Sequence, residues 1–248
     1  MKIVWLAGLL VACGGPSTGE LAELHRVAGT AKLAQVVALA PSVAKLPPVT
    51  TEAWQLPPGL KLDFSWDPWD PASSARSAYN AAIAHESQLA QPCASDWITW
   101  PKSVDLFFVS IANAENWLIE PACLLETGKG RRGREPVFDT LNSGLLQLES
   151  TKYVLVLRMR TLLRPGLVSA ELEANKMESF EPGRIAGDAV LYEIATGAHL
   201  GGFAFDISNK SEVEVRDTRV TAQLELELTG NLKSEIVARL KPLGTPPE

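Results

Sequence analysis

Histidine is scarce in this sequence, and the catalytic signatures that depend on it are missing. His25, His85 and His199 are the only three, spread over 248 residues. There is no HExxH and no CxxC; GxSxG and SxxK each occur once by pattern alone, at Gly15-Pro16-Ser17-Thr18-Gly19 and Ser42-Val43-Ala44-Lys45. The two absences remove the local marks of a zinc peptidase and a dithiol redox centre, and a bare GxSxG or SxxK match carries no chemistry without its strand–turn–helix or partner context. A site assembled across the fold leaves no such mark. His85-Glu86-Ser87 is the one compact triplet, but it falls in a stretch expected to be helical, where adjacent side chains do not face one another. His199 follows a turn, where an exposed or capping role is expected.

Excess positive charge is also lacking. The chain carries 23 basic and 29 acidic side chains, a formal charge of −6. Phosphates dominate nucleic-acid affinity, so no nucleic-acid partner is expected. After the first dozen residues no segment approaches eighteen consecutive apolar positions, and the remainder is expected to be soluble. Cysteine is limited to Cys13, Cys93 and Cys123. Two sulfurs without nearby His make a poor metal site, and no metal or cofactor is implied.

What is present starts at the beginning. Lys2 precedes a nine-residue apolar run, Ile3 to Val11. As a helix it would span about 14 Å, roughly half of a ~30 Å bilayer core, so it is too short to remain as a transmembrane anchor. It ends in Leu10-Val11-Ala12-Cys13. That exit resembles the lipobox of bacterial lipoproteins at all four positions, behind a leader shorter than the usual 15–30 residues.

The resemblance implies cleavage between Ala12 and Cys13 and diacylglyceryl transfer to the Cys13 thiol, with N-acylation following in many Gram-negative bacteria. Two acyl chains suffice for stable anchoring, where one holds only reversibly. Loss of Lys2 with the leader leaves 22 basic against 29 acidic side chains, a charge of −7. Gly14, in place of the Asp that retains many lipoproteins at the inner membrane, leans toward the outer membrane. With Cys13 assigned to lipid, Cys93 and Cys123 remain as a pair in an oxidising compartment, where a disulfide is expected. It would close a loop of about 30 residues and stabilise the fold by roughly 3–4 kcal/mol. Two separate buried thiols are the alternative.

The mature chain begins with a short tether, residues 13–18, and an arm follows over 19–75. Thr18 can cap a helix carrying Leu21, Leu24 and Val27, with Gly29-Thr30 as a candidate break. A second apolar run, Leu33 to Ala40, is expected to end at Pro41. Six prolines between 46 and 75 mark an extended segment over the surface of the main domain. Within it, Trp66-Asp67-Pro68-Trp69-Asp70-Pro71 reads as two successive turns, with a sugar-stacking or Ca²⁺ site as the sharper reading.

An α+β domain is expected over 76–248. A helix is read over 72–91, and buried strand character over Val104 to Ile111. Lys129, Arg131, Arg132 and Arg134 form a glycine-rich basic loop, a possible anion-binding loop that lacks the P-loop spacing and is otherwise a solvated loop. A helix is read over 136–150, a strand over Tyr153 to Leu163, and a further strand over Leu167 to Leu172. Ile185–Ile194 and His199–Ile207 read as a hairpin whose turn uses Gly197 for positive φ. Gly201-Gly202 signals a bulge or close backbone approach. Val220, Leu224, Leu228, Leu232, Ile236 and Leu240 recur every four residues, favouring a helix over 217–241. The alternation of Leu224, Leu226 and Leu228 leaves a strand over 220–229 as the competitor.

Together these elements describe an antiparallel sheet with helices packed on one face, preceded by a helical and Pro-rich arm. The order over roughly 136–241 loosely resembles the small α/β domains of curli-secretion lipoproteins and penicillin-binding-protein activators, which implies at most a protein-interaction role. The function expected is therefore a lipid-anchored, non-catalytic binding or structural role in the cell envelope. The membrane is the partner through Cys13, together with an envelope protein or glycan. An anchored hydrolase acting on an envelope polymer is the alternative.

Overall fold

A computed structural model describes residues 18–64, 80–90, 148–167, 180–209 and 220–245. The fold is α+β: a five-stranded mixed sheet with helices. Its strands run in the order β1-β8-β7-β4-β3, where β1 is Ala53–Trp54, β3 Ala81–His85, β4 Tyr153–Leu163, β7 Arg184–Glu193 and β8 His199–Ser208. Two small two-stranded pairs complete the strands among the described residues. β2 (Leu62–Asp63) pairs in parallel with β9 (Gly244–Thr245), and β5 (Gly166–Leu167) pairs with β6 (Phe180–Glu181).

The centre of the sheet lies where the apolar runs predict it. β4 occupies 153–163, and the β7–β8 hairpin forms about a turn in which Gly197 has φ +69°. The Gly201-Gly202 signal proves to be both a bulge and a close approach. The β7–β8 register shifts after Leu191, and Gly201 sits at φ +118°, where a Cβ would collide with the Ala53 carbonyl of β1. The short edge strand β1 can therefore lie against β8 only because residue 201 has no side chain.

Three expectations require correction. First, the sheet is not wholly antiparallel. β3 pairs with β4 in parallel, Ala81 opposite Tyr153 through His85 opposite Leu157. Second, the described part of 72–91 is not one helix. Residues 81–85 form β3, and a helix, α3, occupies only Glu86–Ala90. An Ala-rich stretch favours helix intrinsically. Here four of the five β3 residues are buried, and a strand buried on both faces loses the alternation that would have marked it. Third, helices cover both faces of the sheet.

One face carries Leu155, Leu157, Ile185, Leu191, Phe203 and Phe205. They pack against Leu228, Leu232, Ile236 and Leu240 of the C-terminal helix α4, Val220–Leu240. The opposite face carries Val154, Val156, Val190 and Tyr192. It is covered by Leu33, Val36, Leu39 and Val43 from the N-terminal helices, and by Leu89 and Leu148.

The N-terminal helices are α1, Thr18–Ala38, and α2, Ala40–Lys45. Gly29-Thr30 does not break α1, since an interior glycine costs only about 1 kcal/mol. Pro41 ends nothing by itself. It occupies the first turn of α2, where its missing N–H has no partner to lose. The stretch Val27–Lys45 is long and apolar enough, by length and composition alone, to cross a membrane. Its buried hydrophobic positions, Leu33, Val36, Leu39 and Val43, are those that pack on the sheet.

The Pro-rich segment then runs extended to β1 and on to β2, lending Leu62 and Phe64 to the core under α4. At the far end of β8, Asn209 ties the sheet to α4. Its amide donates to the Leu224 carbonyl and to Glu227, while its oxygen accepts the Gly183 amide.

Candidate functional site

The residues singled out by sequence for chemistry lie outside the described residues. These are the cleavage and lipidation positions Ala12 and Cys13, the cysteines Cys93 and Cys123, and the basic loop of Lys129, Arg131, Arg132 and Arg134. So do the Trp66–Pro71 repeat, the Val104–Ile111 stretch and residues 136–147. Two polar centres stand in the described fold, both on or beside β4: one that sequence reasoning missed and one, the His85-Glu86-Ser87 triplet, that it set aside.

The first is an ion pair inside the core. Arg158 and Asp188 are direct cross-strand partners on β4 and β7, and both point to the face covered by α1 and α2. The Arg158 side chain is 0% exposed and that of Asp188 2%. Their pairing is a two-bond fork: Nε donates to Oδ1 and Nη2 to Oδ2, each at 2.6 Å. A guanidinium has five N–H donors. The remaining three meet the carbonyls of Val43 (3.0 Å), Leu46 (2.7 Å) and Pro47 (3.0 Å). Asp188 Oδ2 also accepts the Val49 amide at 2.7 Å. Every donor of Arg158 is therefore used within the protein, and no N–H remains to hold a ligand. Burying two charges is costly unless each is paired and hydrogen-bonded, as both are here.

The second centre lies where β3 ends. His85 Nδ1 accepts the Ser87 amide at 3.2 Å, and the Gln88 side-chain oxygen accepts the His85 amide at 2.7 Å. The Gln88 half is that of a capping box, with Gln88 three positions after the cap residue His85, while the His85 ring takes the amide of Ser87 at the second helical position. Together they explain why α3 begins at Glu86. The Ser87 hydroxyl also lies 2.9 Å from Nδ1, so residues 85 and 87 do meet, contrary to the helical expectation for this triplet.

A serine hydroxyl against an imidazole has the outline of an activated nucleophile. The geometry argues against that role. Nδ1 already accepts the Ser87 amide, so it carries no proton, and the hydroxyl must donate to it. Taking the Ser87 proton would set an N–H against an N–H and break the cap. Burial, aided by the Arg160 charge, also pushes the His85 pKa down to about 4, which makes it a weak base at neutral pH.

Burial likewise raises the neighbouring Glu86 carboxyl above its usual range, opposed by Arg160 and Arg158. Arg160 sits at the irregularity where β4 shifts register against β7, and reaches Glu86 at 3.4 Å across a partly exposed contact. Pairs of that kind contribute little to stability.

The His85 cap carries a pH prediction. Its folded pKa lies below the unfolded value of 6.5. The unfolded chain therefore binds the proton more readily once the pH falls below 6.5, and stability drops progressively toward pH 4. Between pH 7 and pH 5 the loss from this one group is about 2 kcal/mol. Urea melts of wild type and His85→Asn, a substitution that keeps a capping oxygen, should differ in pH dependence by that amount. Parallel curves would remove His85 as the source.

Elsewhere the charged contacts are peripheral. Trp54 Nε1–H and Arg239 both donate to Glu52, holding its carboxyl below the usual range and fastening β1 to α4. Lys32 of α1 donates to the Thr151 carbonyl at 2.7 Å, and burial, with Lys152 nearby, lowers its pKa. Among the described residues no group of three or more His, Cys, Asp and Glu side chains is placed to hold a metal ion. The arrangement as a whole builds and braces the fold. Compared with known proteins, the chain matches no family model, no curated protein and no solved structure.

Proposed function

We propose that this chain is a bacterial lipoprotein, held to the cell envelope by lipid on Cys13, whose folded part binds or scaffolds rather than catalyses. The observation that carries the reading is the run Leu10-Val11-Ala12-Cys13 behind Lys2 and a short apolar stretch. Supporting it, α1 begins at Thr18, only a few residues beyond Cys13, so the lipid would hold the domain close to the bilayer surface. The non-catalytic part is supported by the two polar centres of the described fold, both used to hold backbone. The outer membrane, facing the periplasm, is the location favoured by Gly14. The basic loop at 129–134 is the segment to examine for contact with an anionic partner. A Cys93–Cys123 disulfide belongs to the same reading, as the oxidised state of the two thiols left after acylation.

The test is metabolic labelling with a palmitate analogue in a Gram-negative host. Wild type is expected to take up label, shift on inhibition of the lipoprotein signal peptidase and fractionate with membranes. Cys13→Ala should lose all three behaviours. An unacylated, uncleaved Met1 terminus on exported wild-type protein would overturn the anchoring. For the second half, the native acylated protein is crosslinked in cells and captured. A specific envelope protein or glycan is expected, whereas turnover of envelope glycans or esters by the purified protein would replace the binding role with a hydrolytic one.

A further inference from the structure

The most unusual feature of the described fold is what the buried ion pair holds. Arg158 and Asp188 bond to four backbone groups of one short segment: the carbonyls of Val43, Leu46 and Pro47 and the amide of Val49. That segment joins α2 to the extended run leading to β1. It also lies between the proposed lipid on Cys13 and the sheet. The helices before it are held by the apolar contacts of Leu33, Val36, Leu39 and Val43 and by Lys32, which donates to the Thr151 carbonyl.

We infer that residues 43–49 are a strap, latched to the sheet by the Arg158–Asp188 pair, and that the latch sets how far the sheet domain stands from its lipid anchor. The reach depends on the lipoprotein reading above; the latch does not. With the strap docked, α1 and α2 lie along the sheet and add nothing to the tether. With it released, the roughly 28 residues of α1 and α2 become part of the tether, about 40 Å long if they stay helical and more if they unwind.

The structural argument is one of specificity. Apolar side chains would hold the helices against the sheet without fixing which backbone groups face it. The ion pair fixes them, because only this docking places three carbonyls around one guanidinium and one amide on its carboxylate. Pro47 and Pro48 lie within the strap, Pro47 lending its carbonyl to Arg158, and neither has an N–H to offer a competing partner. Residues 43–49 are thus attached to the sheet at one polar point with a stiff exit; release of the whole arm also breaks the Lys32–Thr151 bond of α1, while the sheet stays closed.

Two measurements test this. The first is native-state hydrogen exchange on the soluble Cys13→Ala chain without its leader. The Val49 amide, whose acceptor is Asp188, is expected to exchange at least ~10-fold faster than the Val190 and Leu191 amides at the centre of β7. In the Arg158→Met/Asp188→Leu variant it should speed up a further ~10-fold while the β7 amides keep their rates. Exchange of Val49 in step with Val190 and Leu191 in the wild-type chain would overturn the latch, and that comparison needs no variant to fold.

The second uses acylated protein on phosphatidylethanolamine–phosphatidylglycerol vesicles containing a headgroup dye, with energy transfer from a label at Ala195→Cys. Weaker transfer in the double variant supports the longer reach, and equal transfer overturns it. Failure of the wild-type protein to bind vesicles would reject the lipid anchor and the reach with it, leaving the exchange result to decide the latch alone.

Discussion

Asp188→Ala is expected to destabilise the protein by about 3–5 kcal/mol, one of the largest losses available to a single substitution outside the apolar core. The reason is what remains. Arg158 is fully buried, and its Nε and Nη2 would each face a small cavity in place of a carboxylate oxygen. A guanidinium cannot shed its charge at any ordinary pH. The Val49 amide loses its acceptor in the same step. Arg158→Met should cost a similar amount, because it leaves the Asp188 carboxylate buried without its partner and three carbonyls without their donor. Replacing both at once should cost far less than the sum of the two, since no uncompensated charge survives. Urea denaturation of the four proteins gives the coupling energy directly. Additive losses would mean that each residue is held by contacts other than the pair.

That pair was the part of the structure least legible in sequence. Arg158 and Asp188 each stand within a mostly apolar strand that also carries other charges, Arg160 on β4 and Arg184 and Glu193 on β7, so charge alone does not single out the pair. A charge in an apolar run can sit at a strand end, face solvent at a bulge, or find a partner. Deciding among these needs the β4–β7 register, which shifts by a residue at Arg160, two positions from Arg158. The carbonyls that complete the guanidinium shell come from an arm more than a hundred residues away in sequence.

The same gap explains the two faces. α1 and α2 show an apolar stripe but not what it covers, so helices on one face and an outlying arm was the simpler arrangement. β3 was hidden for a different reason. Its small residues, buried between α3 and the helices on one side and the α4 core on the other, carry neither the β-branched enrichment nor the alternation that identifies a strand. By contrast, β4 and the β7–β8 hairpin were legible almost to the residue. Each is a long apolar run punctuated by a turn or glycine that admits few alternatives.

The C-terminal helix offers the sharpest comparison between a sequence pattern and its energetic consequence. Between 220 and 229 two periods compete: Leu224, Leu226 and Leu228 alternate as in a strand, while Leu224, Leu228 and Leu232 recur as on a helix. A strand would bury or expose all three alternating leucines together. In α4, Leu224 and Leu228 are buried while Leu226 is 67% exposed, so the four-residue period governs. Leu228→Ala is therefore expected to cost about 3–5 kcal/mol, because Leu228 is fully buried in the cluster that includes Leu157, Ile185 and Phe205, and deletion leaves a cavity there. Leu226→Gln, two residues earlier and of similar size, should change stability by less than about 0.5 kcal/mol and reduce exposed apolar surface. Thermal and urea melts of the two variants decide the point. Comparable losses at 226 and 228 would mean that Leu226 is covered in solution and that its side of α4 meets a second surface.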